Sequence, residues 1–368
     1  ASMFKGLSIQ KNYSFKLEVE NPQQEKLLNS IYTQIITGDT WPTGTKNISE
    51  WTFNCCVQTE NLENYTACKF TYFDYAGGYL TDVDLDIDED RGRDFNKVVK
   101  QADAILALLD GQKIYAWLYG DNQSLIDLFL NKDLPSILKQ IQISNVPVHF
   151  VISKWDLLAQ SKFSLSQVRE CLLSIPEFAE FLQIQSNAGA PVRLIPVSAV
   201  GLNFVTMQFD GSMKKNPGIT PIPFLVDAPL ACVLPDGLRQ VFNENQAKQR
   251  QIQEQHKQEG NNTITNVFFT CLNSLGVGLD EINSLISLAD EEEIKRGNFV
   301  SKATLYTNNF IKRGIQEFTE KTWKINPNKR KETLKSVDNE QTALKHALNV
   351  FNDMEKNLIN LFPESRLM

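Results

Sequence analysis

Apolar and polar positions along the chain change period several times, and each change marks an element. Over residues 21 to 38 the apolar positions Leu27, Leu28, Ile31 and Ile35 fall at helical spacing, with Asn21 as cap, Pro22 in the first turn and Gly38 as terminator. The spacing predicts a helix there. A turn-rich loop, TWPTGT (40 to 45), follows, and then two β-rich stretches, WTFNCCV (51 to 57) and ACKFTYFD (67 to 74). From there helical and strand patterns alternate. KVVKQ (97 to 101) ends a helix, AILALLD (104 to 110) reads as a fully buried strand, and residues 122 to 142 are apolar-periodic. VPVHFVIS (146 to 153) is the next buried strand, 164 to 184 another helical region and VRLIPVSA (192 to 199) a further strand. Such alternation predicts an α/β domain with a doubly wound, mostly parallel sheet covered by helices.

The pattern then loses its strands. GSMKKNPGITPIP (211 to 223) is a Gly/Pro/Lys loop, and after LVDAPLACVL the segment 236 to 260 is a very polar, Gln-rich helix suited to solvent or a partner rather than to a core. About 333 to 362, Leu344, Leu348, Phe351, Leu358 and Phe362 recur on one face, predicting an amphipathic helix that ends at Pro363. The expected organisation is therefore an α/β domain over 1–235 and an all-helical module over 236–368. The length of 368 residues agrees with two domains.

Composition narrows the partners. Hydrophobic residues at 42% and charged residues at 22% suit a globular protein with a sizeable core. A net charge of −7 offers no global attraction to nucleic acid or anionic lipid, so neither is an expected partner. Cys55, Cys56, Cys68, Cys171, Cys232 and Cys271 lie in or beside apolar runs without metal spacing, which reads as buried thiols in a reducing compartment. No stretch approaches the roughly 18 consecutive apolar residues of a membrane span, and no secretory apolar segment opens the chain. The expectation is a cytoplasmic protein, in which the sequons at Asn12, Asn47, Asn64, Asn122 and Asn262 carry no glycan.

In open α/β sheets ligands gather beyond the carboxyl ends of the strands. Asp74-Tyr75-Ala76-Gly77-Gly78 follows FTYF, Ser153-Lys154-Trp155-Asp156 follows VHFVI, and Ser198-Ala199 follows LIPV, while the loop before the first β-rich stretch offers Thr43 and Thr45. Each motif alone is weak; their order, each at the end of an apolar strand, is the signal. In this order the chain resembles the Ras-superfamily GTPases. The resemblance implies a DxxG turn of Asp74 and Gly77 at the Mg²⁺ and γ-phosphate, a base-reading [N/T]KxD motif carried by Ser153, Lys154 and Asp156, a base-backing pair Ser198 and Ala199, and Thr45 closing over Mg²⁺. It implies GTP/GDP and Mg²⁺ as ligands, with Thr45, Asp74, Gly77 and Gly78 at the reacting end. The chemistry is coherent: a carboxylate at 156 accepts two hydrogen bonds from adjacent guanine N–H groups, an arrangement adenine does not offer. A glycine at 77 lets a backbone N–H approach a phosphate oxygen, and losing that phosphate would release the loop.

The helix ending at Gly38, WPTGT, the Trp/Phe-rich strand, DYAGG and the late PIPFLVDAPL together resemble, over about residues 1 to 235, the predicted double-GTPase families of prokaryotic Ras-like proteins. That likeness implies a bacterial regulatory GTPase, of a group suspected in conflict or defence; it says little about the helical region, for which a protein partner is a separate expectation. The pattern has departures. GxxxxGK[ST], the loop that cradles the α/β-phosphates, is absent from the sequence, while the opening ASMFKGLSIQ resembles the end of the helix that would follow it. Two readings stay open: the loop precedes Ala1, or the chain is a pseudo-GTPase scaffold acting through protein contacts. Gly78 stands where many Ras-like proteins carry the glutamine that orients water, which predicts slow intrinsic hydrolysis. Arg91 and Arg93 are internal candidates for a compensating arginine, weighed against a solvated loop.

Other features carry less. His149, His256 and His346 are scattered, and Asp82, Asp84, Asp86 and Asp88 lack the glycine and distal glutamate of an EF-hand. Asp290 to Glu293 and Lys329 to Lys331 read as solvated charge runs. A receiver domain with Asp74 as phosphoacceptor lacks its acidic pair, and a dehydrogenase lacks GxGxxG.

Overall fold

The computed structural model describes residues 1–2, 4, 15–38, 40–43, 49–59, 61, 63–74, 97–142, 144, 146–208, 210–233, 235–236, 337–338 and 340–368. The chain divides into two units, one of Ala1–Gly237 with Pro327–Met368 and one of Leu238–Asn326. The second unit, and with it the expected polar helix beyond Asp236, lies outside the described residues.

In the first unit the elements run β1 (Phe15–Val19), α1 (Pro22–Thr37), β2 (Ser49–Gln58), β3 (Asn64–Asp74), β4 (Ile105–Asp110), α2 (Gly111–Tyr119) and α3 (Gln123–Leu128). A π-helical turn, Phe129–Asp133, leads into α4 (Leu134–Ile141). Then come β5 (Val148–Ser153), α5 (Trp155–Gln160), α6 (Leu165–Leu173), α7 (Pro176–Ala188), β6 (Val192–Pro196), the short strands β7 (Val205–Met207) and β8 (Met213–Lys215), and the closing helix α8 (Glu340–Leu361).

Three of the strands form a parallel sheet in the order β4-β5-β6, and β1, β2 and β3 form a separate antiparallel sheet. The fold is thus mixed α/β with a three-stranded parallel sheet. In its register Ala107, Phe150 and Leu194 make one row, and Leu106, His149 and Arg193 the next. Alternate rows face opposite sides. The Ala107 side is buried beneath α2 and α4 to α7, where Phe150 packs against Phe178 and Phe181 at ring-centroid distances of 5.0 and 5.7 Å. Each of these buried rings contributes about 2–3 kcal/mol. The other side meets Leu225, Ala228 and Cys232 and, from α8, Leu358 against Ile195.

Several elements differ from the sequence expectation for identifiable reasons. The single helix expected over 122–142 is interrupted, because the Phe129–Asp133 turn widens to π geometry and Pro135 opens a new helix. The helical region 164–184 is likewise split, with Pro176 starting α7. The strand expected to be fully buried, β4, alternates, and Leu108 is 57% exposed because β4 is the edge of the parallel sheet. The loop over 211–223 contains β8, which pairs with β7.

The most consequential difference concerns α8. Expected within a separate helical module, it belongs to the first unit. Ala343, Ala347, Val350, Phe351 and Met354 join the core formed by Leu17, Val19, Phe53, Cys55 and Val57 of the antiparallel sheet. Its apolar stripe finds its partner in the α/β body. No helix among the described residues is long and apolar enough to cross a membrane.

Candidate functional site

The carboxyl ends of β5 and β6 hold the geometry that the sequence singled out. The strand ladder continues past Pro196: Val197 donates its N–H to the Ile152 carbonyl at 2.8 Å, and Trp155 donates to the Val197 carbonyl at 3.0 Å. This stitch sets Ser153-Lys154-Trp155-Asp156 beside Ser198. Ser198 Oγ donates to Asp156 Oδ1 at 2.6 Å and accepts the Gly201 N–H at 2.8 Å, so its hydroxyl proton has one direction to point. Gly201 sits at φ 75°, and a Cβ there would lie 1.8 Å from the Ile222 carbonyl oxygen; only glycine permits the turn that supplies that donor.

Asp156 is 2% exposed, in the first turn of α5. Burial pushes its carboxyl upward from the usual carboxylate value, opposed by the Ser198 hydroxyl, its own backbone N–H and the Lys154 charge. Ser153, whose Oγ donates to the Leu109 carbonyl at 3.1 Å, ties β5 to β4 rather than facing outward. Ala199 is exposed at the lip of the same strand end. All five expected base-reading residues thus lie at these two strand ends, Ser153-Lys154-Trp155-Asp156 and Ser198-Ala199 being joined by the Ser198–Asp156 hydrogen bond.

Lys154 adopts φ 52°, the left-handed region that a lysine enters at a cost of about 1 kcal/mol. Its Nζ donates to Asp110 Oδ2 at 3.0 Å and to Gln112 Oε1 at 3.2 Å. Asp110 also caps α2, accepting the Gln112 N–H at 2.9 Å, and Gln112 Nε2 reaches the Gly211 carbonyl at 2.8 Å. Between them stands Gly111, where a Cβ would come within 2.0 Å of the Ser153 carbonyl oxygen. Sequence reasoning missed this β4–α2 junction, although Asp110 and Gly111 directly follow an apolar strand, the same position that drew attention to the other motifs.

The remaining expected residues are not assembled with these. Thr45, Gly77, Gly78, Arg91, Arg93 and the acidic run Asp82 to Asp88 lie outside the described residues, as do Cys271, His256, Asp290 to Glu293 and Lys329 to Lys331. Asp74 ends β3 in the antiparallel sheet; beside it Tyr72 is raised to about 12, first by burial and then by the Asp74 charge. Among the described residues no three His, Cys, Asp or Glu side chains converge on a metal position.

Thr43 is exposed in a loop with a firm entry. Lys215 Nζ donates to the carbonyls of Gln34, Gly38 and Thr40 at 3.1, 2.6 and 3.2 Å, and lies 4.7 Å from the centroid of the Trp41 ring. Trp41 Nε1 in turn donates to the Met213 carbonyl at 2.8 Å. One ammonium thus satisfies the carboxyl end of α1 and fixes the residues leading to Thr43.

A second polar cluster lies on the side of the parallel sheet that α8 covers. Arg193 of β6 bonds Asp236 through Nε and, at 2.7 Å, through one terminal nitrogen, which also reaches Glu355 of α8 at 2.8 Å; Arg366 bonds the same Glu355 oxygen at 2.8 Å. His149 Nε2 stands 3.8 Å from Asp236 Oδ2. Arg193, Asp236, Glu355 and His149 are all buried. Nothing in the sequence distinguished Arg193 inside VRLIP from a strand-end charge.

No protein-family model, curated protein or solved structure matches this chain.

Proposed function

We propose that the chain is a guanine-nucleotide-binding protein of the Ras-like GTPase type, acting as a GTP-hydrolysing switch. The observation that carries the reading is the Asp156–Ser198–Gly201 relay next to Lys154: a carboxylate held in one orientation at the carboxyl end of the middle parallel strand, with a lysine stem beside it. A carboxylate so oriented suits the paired N1–H and N2–H donors of guanine, and the Lys154 methylenes suit the base face. In this reading Ala199 backs the base. Thr45 and Asp74 would hold Mg²⁺ and Gly77 would meet the γ-phosphate, and with Gly78 in place of a water-orienting amide hydrolysis of GTP to GDP and phosphate would be slow. The helical region carries nucleotide state to a protein partner, in a cytoplasmic, bacterial regulatory setting.

Titration of the full-length protein with a fluorescent GDP analogue in Mg²⁺ tests it. Competition by GTP and GDP but not ATP is expected, and no measurable guanine-nucleotide affinity overturns the reading. A second reading is a scaffold that keeps the fold for protein contact without nucleotide. Phosphate release from GTP by the same preparation counts against the scaffold.

A further inference from the structure

We propose that the β4–α2 junction, Asp110-Gly111-Gln112, is a further wall of the base site and that Asp110 and Gln112 are positioning residues for Lys154. The inference rests on the guanine-nucleotide reading. Two residues of this junction converge on one lysine. Asp110 Oδ2 and Gln112 Oε1 accept from Nζ, at 3.0 and 3.2 Å. Neither acceptor is free to turn away: the Asp110 carboxylate is oriented by the Gln112 N–H it accepts, and the Gln112 amide by its donation to Gly211. Gly111 makes the approach possible, since any Cβ would strike the Ser153 carbonyl.

An ordinary surface ion pair needs none of this. It leaves the lysine backbone in a relaxed conformation and does not require a glycine across from it, whereas Lys154 is held left-handed at φ 52°. Pinning the ammonium at the far end and the Cα in a fixed turn leaves the four-carbon stem between them with little freedom. A stem already ordered loses little further entropy when a purine stacks on it, which is how preorganisation raises affinity. Asp110 also neutralises the Lys154 charge, so this lysine is suited to the uncharged face of a base rather than to a phosphate. The side chains are 41% and 34% exposed, so solvent screens the pair and the expected effect is moderate.

The test is a double-mutant cycle on the full chain, read as affinity for a fluorescent GDP analogue. Asp110→Asn keeps an acceptor for the α2 cap but removes the charge that holds Nζ. It is expected to weaken GDP binding about three- to tenfold when Lys154 is present and less than twofold in a Lys154→Met background. Gln112→Met, which leaves the Asp110 cap in place, is expected to weaken binding in the same Lys154-dependent manner and keeps the test available should Asp110→Asn fail to fold. Equal losses in both backgrounds, or no loss in either, overturn the proposal. A wild-type chain without GDP affinity removes the underlying reading, and this inference with it, before any variant is compared.

Discussion

Ser198 holds Asp156 across 42 residues of sequence through a 2.6 Å hydrogen bond, and Asp156 has almost no solvent exposure with which to adopt another orientation. Replacing Asp156 by Asn keeps one acceptor oxygen but substitutes an NH₂ donor for the second. Guanine then presents a donor to a donor, while xanthine, with a carbonyl at position 2, presents an acceptor. Asp156→Asn is expected to lower GDP affinity at least about 100-fold, the cost of roughly 3 kcal/mol for an unmatched buried pair, and to raise affinity for xanthosine diphosphate. Parallel titrations with the two nucleotides measure the exchange; unchanged preference would remove Asp156 from the base.

Arg193 joins β6 to Asp236 and to α8 through Glu355. Arg193→Met takes the guanidinium away from buried Asp236 and leaves Glu355 with Arg366 alone, and is expected to cost about 3–5 kcal/mol in urea unfolding. Replacing the group as a whole (Arg193→Met with Asp236→Leu and Glu355→Met) is expected to recover most of that loss, because apolar residues of similar volume need no desolvation of charge. A triple variant as unstable as the single one would show that the cluster is more than a balanced set of charges.

His149 should make the fold acid-sensitive. Burial, together with the Arg193 charge and against the pull of Asp236 and Glu355, lowers its pKa from 6.5 to about 4, and neither ring nitrogen has a hydrogen-bond partner among the described residues. The unfolded chain takes up a proton near 6.5 that the folded chain refuses until about 4, so stability falls as pH drops through that window, by up to roughly 3 kcal/mol at its lower end. Urea midpoints for wild type and His149→Gln at pH 7, 6, 5 and 4 measure it; the variant is expected to show a shallower decline.

Lys215→Met removes a cation from three carbonyls and from the Trp41 ring. A destabilisation of about 1–2 kcal/mol is expected. Faster amide hydrogen exchange is expected over the last turn of α1 and residues 40–43, with the parallel sheet unaffected. Unaltered exchange there would mean that the loop holds its shape without the lysine.

The elements legible in the sequence were those with a strong local signature. Asn21 and Pro22 announced α1, and the cap is present, with Asn21 accepting the Gln23 N–H at 2.9 Å. The unbroken apolar run of β5 announced a buried strand, and the structure joins Asp156, just after it, to Ser198 by a hydrogen bond. What the sequence concealed depends on distant partners. β1, FKLEV, is short and charged at alternate positions, and it exists as a strand through its pairing with β2. α2 begins with a glycine that reads as a breaker but provides clearance for the Ser153 carbonyl. The stripe on α8 declared that the helix had a partner without saying which. For the candidate site, residue types singled out Asp156 and Lys154, yet the contacts of Asp110 and Gln112 with Lys154 became visible only when β4 and β5 lay side by side.

The docking of α8 bears on how this protein comes off the ribosome. Arg193 and Glu355 are 162 residues apart, and Leu17 in the antiparallel sheet shares its core with Phe351, which is made much later. Until α8 emerges, the apolar faces it covers on both sheets stay open, and the Arg193–Asp236 pair lacks its second carboxylate. Sequence separation of this kind slows folding and prolongs exposure of sticky surface during synthesis. A ribosome stalled short of residue 340 would therefore display an unfinished body, a species for chaperones to hold rather than a smaller working protein.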